Sequence, residues 1–193
     1  ADDAIDILDE LPEEERENII ELMEQESVDD IKMIVAHDED AIGAKMTTNY
    51  ISIPRNSSIK QAMKHVIEEA PANDNIATIF VINDDNTYYG SIDLKSLIIA
   101  RKDDDLEKIT KTSYPVLYAN ENVSDVIQKI REYSLPILPV LSENKRLLGV
   151  VTSDDIIEAF EEEFGEDYAK LAGLSSEEEL DEPITKSVSK RMP

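Results

Sequence analysis

No cysteine and no tryptophan occur in the 193 residues. The missing thiol excludes disulfides, thiolate metal sites and thiol nucleophiles. Glycine occurs only five times. No GxGxxG or GxxxxGK[ST] pattern is present, so no glycine-rich loop cradles phosphate in the dinucleotide or P-loop manner. The two histidines, His37 and His65, lie on separate helical stretches with no nucleophile–base spacing around either. Carboxylates are plentiful, but an acid–base pair needs a pocket that separates two pKa values, and an exposed acidic run supplies none. The chain therefore reads as non-catalytic. No apolar run approaches the roughly 20 residues of a membrane span, and no charged n-region with an apolar h-region opens the sequence. As given, the chain is expected to be soluble.

Basic residues are also scarce. Nineteen Lys and Arg face 44 Asp and Glu, a net charge of −25, which argues against nucleic acid because phosphate binding needs basic surface. The charge is unevenly placed. Residues 1–40 hold 17 acids and 2 bases, residues 41–153 hold 14 and 13, and residues 154–193 hold 13 and 4. A balanced middle thus lies between two acidic flanks. Solvated acidic helices would account for this; so would flanks that face each other and share cations. Oxygen-only ligands suit magnesium or calcium rather than zinc or copper. No EF-hand spacing occurs, but magnesium keeps several waters and needs few protein carboxylates. The stretch SDDIIEAFEEEFGED, residues 153–167, poses the question sharply. Ile156, Ile157, Phe160 and Phe164 give one apolar helical face, while Asp155, Glu158 and Glu162 stack as like charges that repel. Bridging cations would offset that repulsion.

Residues 3–36 read as short helices. Pro12 followed by Glu13, Glu14 and Glu15 is a helix start, and a further helix is expected from Val28 to Ala36. The middle contains a repeat: SIKQAMKHVIEEA and IATIFVINDDNTYYGSIDLKSLIIA, then NVSDVIQKIREY and LPILPVLSENKRLLGVVTSDDIIEAF. Each copy reads as an amphipathic helix, a strand, a polar turn, a glycine-containing strand and a second helix. Gly90 and Gly149 recur 59 residues apart. Units this small cannot cover both sheet faces alone, so the copies are expected to pack together.

Gly149-Val150-Val151-Thr152-Ser153-Asp154-Asp155-Ile156 resembles the CBS domain, with Gly90 to Leu97 a divergent copy. The order of parts resembles the cytosolic region of MgtE-type magnesium transporters: an acidic helical segment, DEDAIGAKMT at 38–47, two repeats, an acidic helix, and ITKSVSKRMP. The resemblance implies an α+β fold: a short helical N-terminal segment, tandem CBS domains of β-α-β-β-α order forming a Bateman module, and a C-terminal acidic connecting helix. Residues 1–40 would end an N-terminal helical domain, 41–105 and 106–164 would form tandem CBS domains, and 165–193 would be a connecting "plug" helix leading to a membrane domain beyond this chain. It implies a homodimer through the CBS domains, at the cytoplasmic side of the cell membrane. Lys186, Lys190 and Arg191 would mark that side.

The resemblance also places metal ligands. Magnesium, with calcium or manganese able to take the same sites, would be held by Asp2 and Asp6, by the carbonyl of Gly43, by Asp155, Glu158 and Glu163, and by Glu166 and Asp167. Two positions depart from the family pattern. Ser134 stands where an acid is expected, and so does Ser124, with Asp125 beside it as a substitute. Adenine-nucleotide sensing is the alternative. Thr152 and Asp155 fit the Ser/Thr-x-x-Asp form that holds ribose in many CBS modules. Lys95 and Ser96 match a basic–acidic ATP-binding pair in which the acid is missing.

Overall fold

The computed structural model describes residues 5, 7–8, 11–38, 40–126 and 135–157. Residues 5, 7 and 8 are helical, and two short acidic helices follow. Helix α1 (Glu13–Leu22) starts behind Pro12, as its sequence predicts. Helix α2 (Gln25–Val35) begins three residues before the expected Val28.

Each repeat then builds one three-stranded sheet. In the first, β1 (Tyr50–Pro54) runs parallel to β2 (Asn75–Ile82), which pairs antiparallel with β3 (Tyr88–Asp93). Helix α3 (Ile59–Glu69) crosses over from β1 to β2. A reciprocal capping box starts it, with Ser58 Oγ accepting from the Gln61 amide and the Gln61 side chain accepting from the Ser58 amide. Such a cap satisfies two of the amides that every helix start leaves without partners. Ile59, Ala62 and Val66 turn inward from α3 onto the sheet. Helices α4 (Leu94–Ile99) and α5 (Leu106–Ile109) complete the repeat. In the second, β4 (Leu117–Tyr118) is parallel to β5 (Ile137–Leu141), and β5 is antiparallel to β6 (Leu147–Thr152). All five residues of β5 are buried, as expected of a strand covered on both faces. Pro139 lies within it but outside the short parallel ladder, because β4 reaches only Val140 and Leu141; a residue without an N–H is tolerated there.

The repeats exchange their entry segments. Thr47, which leads into the first repeat, bridges Val150 of the second. Lys111, which leads into the second, bridges Ser91 of the first. The two repeat glycines make this possible. A Cβ on Gly90 would lie 2.7 Å from the Lys111 carbonyl oxygen, and one on Gly149 would lie 2.9 Å from that of Thr47. Both hairpins place a residue in the left-handed region at the same repeat position, Asn86 at φ 63° and Lys145 at φ 60°. The hairpins also meet, with Tyr88 N donating to the Lys145 carbonyl at 2.8 Å. Beneath that contact Phe80, Ile137 and Val150 form a small core shared by both repeats, flanked by Tyr50, Tyr88 and Leu147.

Candidate functional site

The site is built around the second repeat. Its core contains Leu117, Val123, Leu138, Val140 and Val151 from the repeat itself, Ile34 from α2, Ile42 and Met46 from the entry segment, and Ile156 from the helical turn after β6. Ile5, Met33 and Ile157 pack against it. The acidic N-terminal flank and the first turn of the acidic C-terminal flank therefore rest on one hydrophobic cluster.

At that turn Thr152 ends β6 and residues 153–157 are helical. Thr152 Oγ1 accepts from the Asp155 amide at 3.2 Å, and Asp155 Oδ2 accepts from the Thr152 amide at 3.4 Å. This is a capping box with Asp at the third position. Ser153 N donates to the Pro136 carbonyl at 3.0 Å, and Ser153 Oγ donates to the Leu135 carbonyl. With Ile156 fully buried, this ties the turn to the start of β5 and keeps Asp154 exposed and Asp155 half-exposed at the surface. The Thr-x-x-Asp spacing read as a ribose motif thus has a local task, since both side chains start the helix.

Gly43 lies in a 3₁₀ turn, Ile42–Ala44, hung on the second repeat. Ile42 N donates to the Glu121 carbonyl, Gly43 N donates to the Ala119 carbonyl, and Val123 N donates to the Asp40 carbonyl. A Cβ on Gly43 would sit 2.4 Å from His37 Cγ. The imidazole packed against Gly43 leaves no room for a side chain there unless His37 moves. Beside this turn Asp38, Asp40, Asn120 and Asn122 line an open polar hollow. Asp38 and Asp40 belong to the DEDAIG stretch but not to the ligand set that the resemblance implies. Their approach to residues 120–122 depends on hydrogen bonds between segments about 80 residues apart.

Gly43 and Asp155 are the two expected ligands within the described residues. Asp2, Asp6, Glu158, Glu163, Glu166 and Asp167 lie outside them, as does Ser134. Among the described residues, no three His, Asp or Glu side chains converge tightly enough to hold a metal ion without further ligands. Ser124 lies beside the cap of the second repeat's first helix, where Asn122 Oδ1 accepts from both the Ser124 amide and its hydroxyl. Asp125 is exposed next to it.

In the first repeat, at the position matching Thr152, Asp93 pairs with Lys111 at 2.6 Å. Behind it Thr78 and Ser91 are buried. Tyr88 Oη and Ser91 Oγ are 2.7 Å apart, and Tyr114 Oη donates to the Ile137 carbonyl at 2.8 Å. Burial raises the Tyr114 phenol above its ordinary value. The Tyr88–Ser91 bond lies within the first repeat and the Tyr114–Ile137 bond within the second, while the Tyr114 phenol also reaches Thr78 of the first repeat by a side-chain hydrogen bond.

Comparison with known proteins agrees with this architecture. The CBS domain family matches residues 28–103 and 106–162, and the MgtE intracellular N domain matches residues 1–40. The magnesium transporter MgtE of Enterococcus faecalis is 33% identical over 168 residues, which is 87% of this chain and 37% of the transporter. The chain thus spans little more than a third of that relative. A crystal structure of the soluble part of a magnesium transporter superposes with a TM-score of 0.78 at 30% identity, covering 84% of this chain and 63% of that one. The cytosolic domain of the magnesium channel MgtE in complex with ATP gives 0.75 at 23% identity, over 81% and 64%; at that identity the likeness speaks to fold alone. The relative and both structures are transporters or parts of them, in keeping with the non-catalytic reading. Among the described residues no helix is long and apolar enough to cross a membrane.

Proposed function

This chain belongs to the CBS-domain family, with an MgtE-type segment ahead of its two repeats, and from that premise we propose that it is the magnesium-sensing cytosolic regulatory region of a magnesium transporter. The observation that carries this reading is the shared core of the second repeat, where Ile5, Ile34 and Ile156 meet. It seats α2, from the flank of net charge −15, and the first turn of the flank of net charge −9 on one cluster. Exposed like charges repel by about 1 kcal/mol per pair at 4 Å in water and by more near protein, so several pairs oppose the compact arrangement. Magnesium held between the flanks, at the carbonyl of Gly43 and the carboxylates of Asp2, Asp6, Asp155, Glu158, Glu163, Glu166 and Asp167, would offset that repulsion. Sites complete only in the compact state shift the equilibrium toward it by their difference in affinity. In the whole transporter, compaction would act through the segment from Glu166 onward on a membrane domain and close the ion path, so that abundant magnesium limits its own entry. Calcium and manganese offer the same hard-cation chemistry at such open carboxylate sites.

Small-angle scattering is expected to register a fall in radius of gyration on adding millimolar magnesium, beyond that produced by monovalent salt of matched ionic strength. Asp155→Asn, which keeps a capping oxygen, should leave the fold intact and weaken magnesium several-fold, about 1 kcal/mol for one exposed carboxylate. Equal contraction in monovalent salt would reduce the effect to screening. An unchanged calorimetric titration would remove Asp155 from the ligand set. Adding ATP and AMP separately in a thermal-shift assay tests the nucleotide alternative, for which the Thr152 O–H and Asp155 Oδ1, neither used by the cap, are the groups that would meet a ribose.

The same reading includes a homodimer through the CBS domains. Supporting it is an apolar groove between α3 and α4, lined by Met63, Ile67, Leu97 and Ile98, beside which Ile67, Ile98 and Ile99 are 64%, 62% and 72% exposed. Large aliphatic side chains clustered in water mark an interface. Light scattering at micromolar concentration is expected to give twice the chain mass, and Ile98→Asp the mass of one chain with an unchanged circular dichroism spectrum. A wild-type monomer with and without magnesium would oppose the proposal.

A further inference from the structure

We infer that the moving N-terminal unit ends at Met23–Glu24, between α1 and α2, and that α2 is a fixed part of the second repeat; this rests on the magnesium-dependent opening proposed above and locates its joint. Sequence alone sets the boundary near residue 40, where the acidic run stops. The packing draws it elsewhere. Ile31 and Ile34 of α2 are 8% and 2% exposed, and Ile34 is a member of the second repeat's core. Asp30 Oδ2 accepts from Thr48 Oγ1 at 2.9 Å, which ties the middle of α2 to the strand entry. His37 is seated on Gly43, and residues 40–47 are hydrogen-bonded to Ala119, Glu121, Val123 and Val150. Swinging α2 away would uncover that core and break these ties together.

Helix α1 differs. Its Ile19 and Leu22 are 40% and 87% exposed. Arg16 Nε donates back to the Leu8 carbonyl at 2.8 Å, which ties α1 to the segment around Leu8. Among the described residues that segment adds one partly buried side chain, Ile5, to the edge of the second repeat's core, and its own buried residue, Leu8 at 5% exposure, is not a member of that core. Between the helices Met23 and Glu24 are both extended, with ψ of 155° and 145°, so the helical hydrogen-bond ladder is interrupted where a hinge needs freedom. Hinges of this kind are a few element-terminal residues that absorb the backbone rotation.

The absence of cysteine makes the test direct, because spin labels can be placed without removing native thiols. Two double-cysteine variants of the full chain, Glu15→Cys with Asn144→Cys and Lys32→Cys with Asn144→Cys, use exposed positions on α1, on α2 and in the β5–β6 turn. Electron–electron distances are measured with millimolar magnesium and after chelation. The 15–144 distance is expected to lengthen or broaden on chelation while the 32–144 distance stays fixed. Both changing together would place the joint after α2 and overturn the inference. Neither changing would oppose the opening itself, and hydrogen exchange without metal then decides the boundary. Amides of α2 should exchange with those of β5 and β6, and those of α1 about tenfold or more faster. Equal exchange in α1 and α2 would overturn the boundary whatever magnesium does.

Discussion

Replacing Phe80 by alanine is expected to cost about 3–5 kcal/mol and to split one unfolding transition into two. Phe80 comes from β2 of the first repeat and is fully buried, but its partners Ile137, Val150 and Leu147 belong to the second. Its ring meets that of Tyr50 edge-on at 5.8 Å and lies 6.4 Å from that of Tyr88. Such pairs add about 0.5–1.5 kcal/mol each beyond buried area. The hole left by alanine would lie at the seam, where the main remaining ties are the exchanged entry segments and hydrogen bonds such as Tyr88 N to the Lys145 carbonyl. Phe80→Leu keeps most of the volume and should cost roughly 1–2 kcal/mol with one transition retained. Guanidinium titration followed by tyrosine fluorescence and circular dichroism reads both quantities. A loss below about 1.5 kcal/mol for the alanine variant, with a single unchanged transition, would mean that Phe80 is not what couples the repeats.

Stability should also fall steeply between pH 10 and 12. The Tyr50 phenol is pushed up to about 12 by burial, with the Asp30 carboxylate as a second cause. The Tyr88 phenol is pushed up to about 12 by burial, partly opposed by its hydrogen bond to Ser91. In the unfolded chain both titrate near 10. Below pH 10 they are neutral in both states and their contribution is complete. Above it the unfolded chain ionises first, so stability drops by about 1.4 kcal/mol per pH unit for each phenol, or roughly 2–3 kcal/mol apiece by pH 12. Urea midpoints at half-unit steps, with tyrosinate absorbance on the same samples, test this. Lysines also titrate in this range, so the comparison is with Tyr50→Phe and Tyr88→Phe, each of which should flatten the fall. Identical slopes in wild type and both variants would show that neither phenol resists ionisation.

How much of this was legible in the sequence follows from where each signal resides. Helices α1, α2 and α3, strands β2, β3, β5 and β6, and the repeat itself could be read because their information is local: a 3.6-residue period, short apolar runs, and glycines 59 residues apart. The acidic flanks could be read for the same reason, since charge is additive along the chain. That α2 and the turn at Ile156 rest on one core was not legible, because no periodicity links positions so far apart. Strands β1 and β4 were implied by the CBS resemblance but not located, because five and two residues give too little pattern to count.

Four properties were decided by tertiary structure alone. Residues 40–47 and 111 serve the repeat they do not precede, through backbone hydrogen bonds that carry no side-chain signature. His37 occupies the space that a Cβ on Gly43 would take, a contact that no local pattern announces. Thr152 and Asp155, a ribose motif by resemblance to CBS modules, also cap a helix. Helix α2, acidic enough to belong with the N-terminal flank, is held by the second repeat through Ile34. Sequence determined the elements, the repeat and the charge because these are set by near neighbours. Which segment packs on which was settled by burial and by close approach between distant residues, and those exist only once the chain has folded.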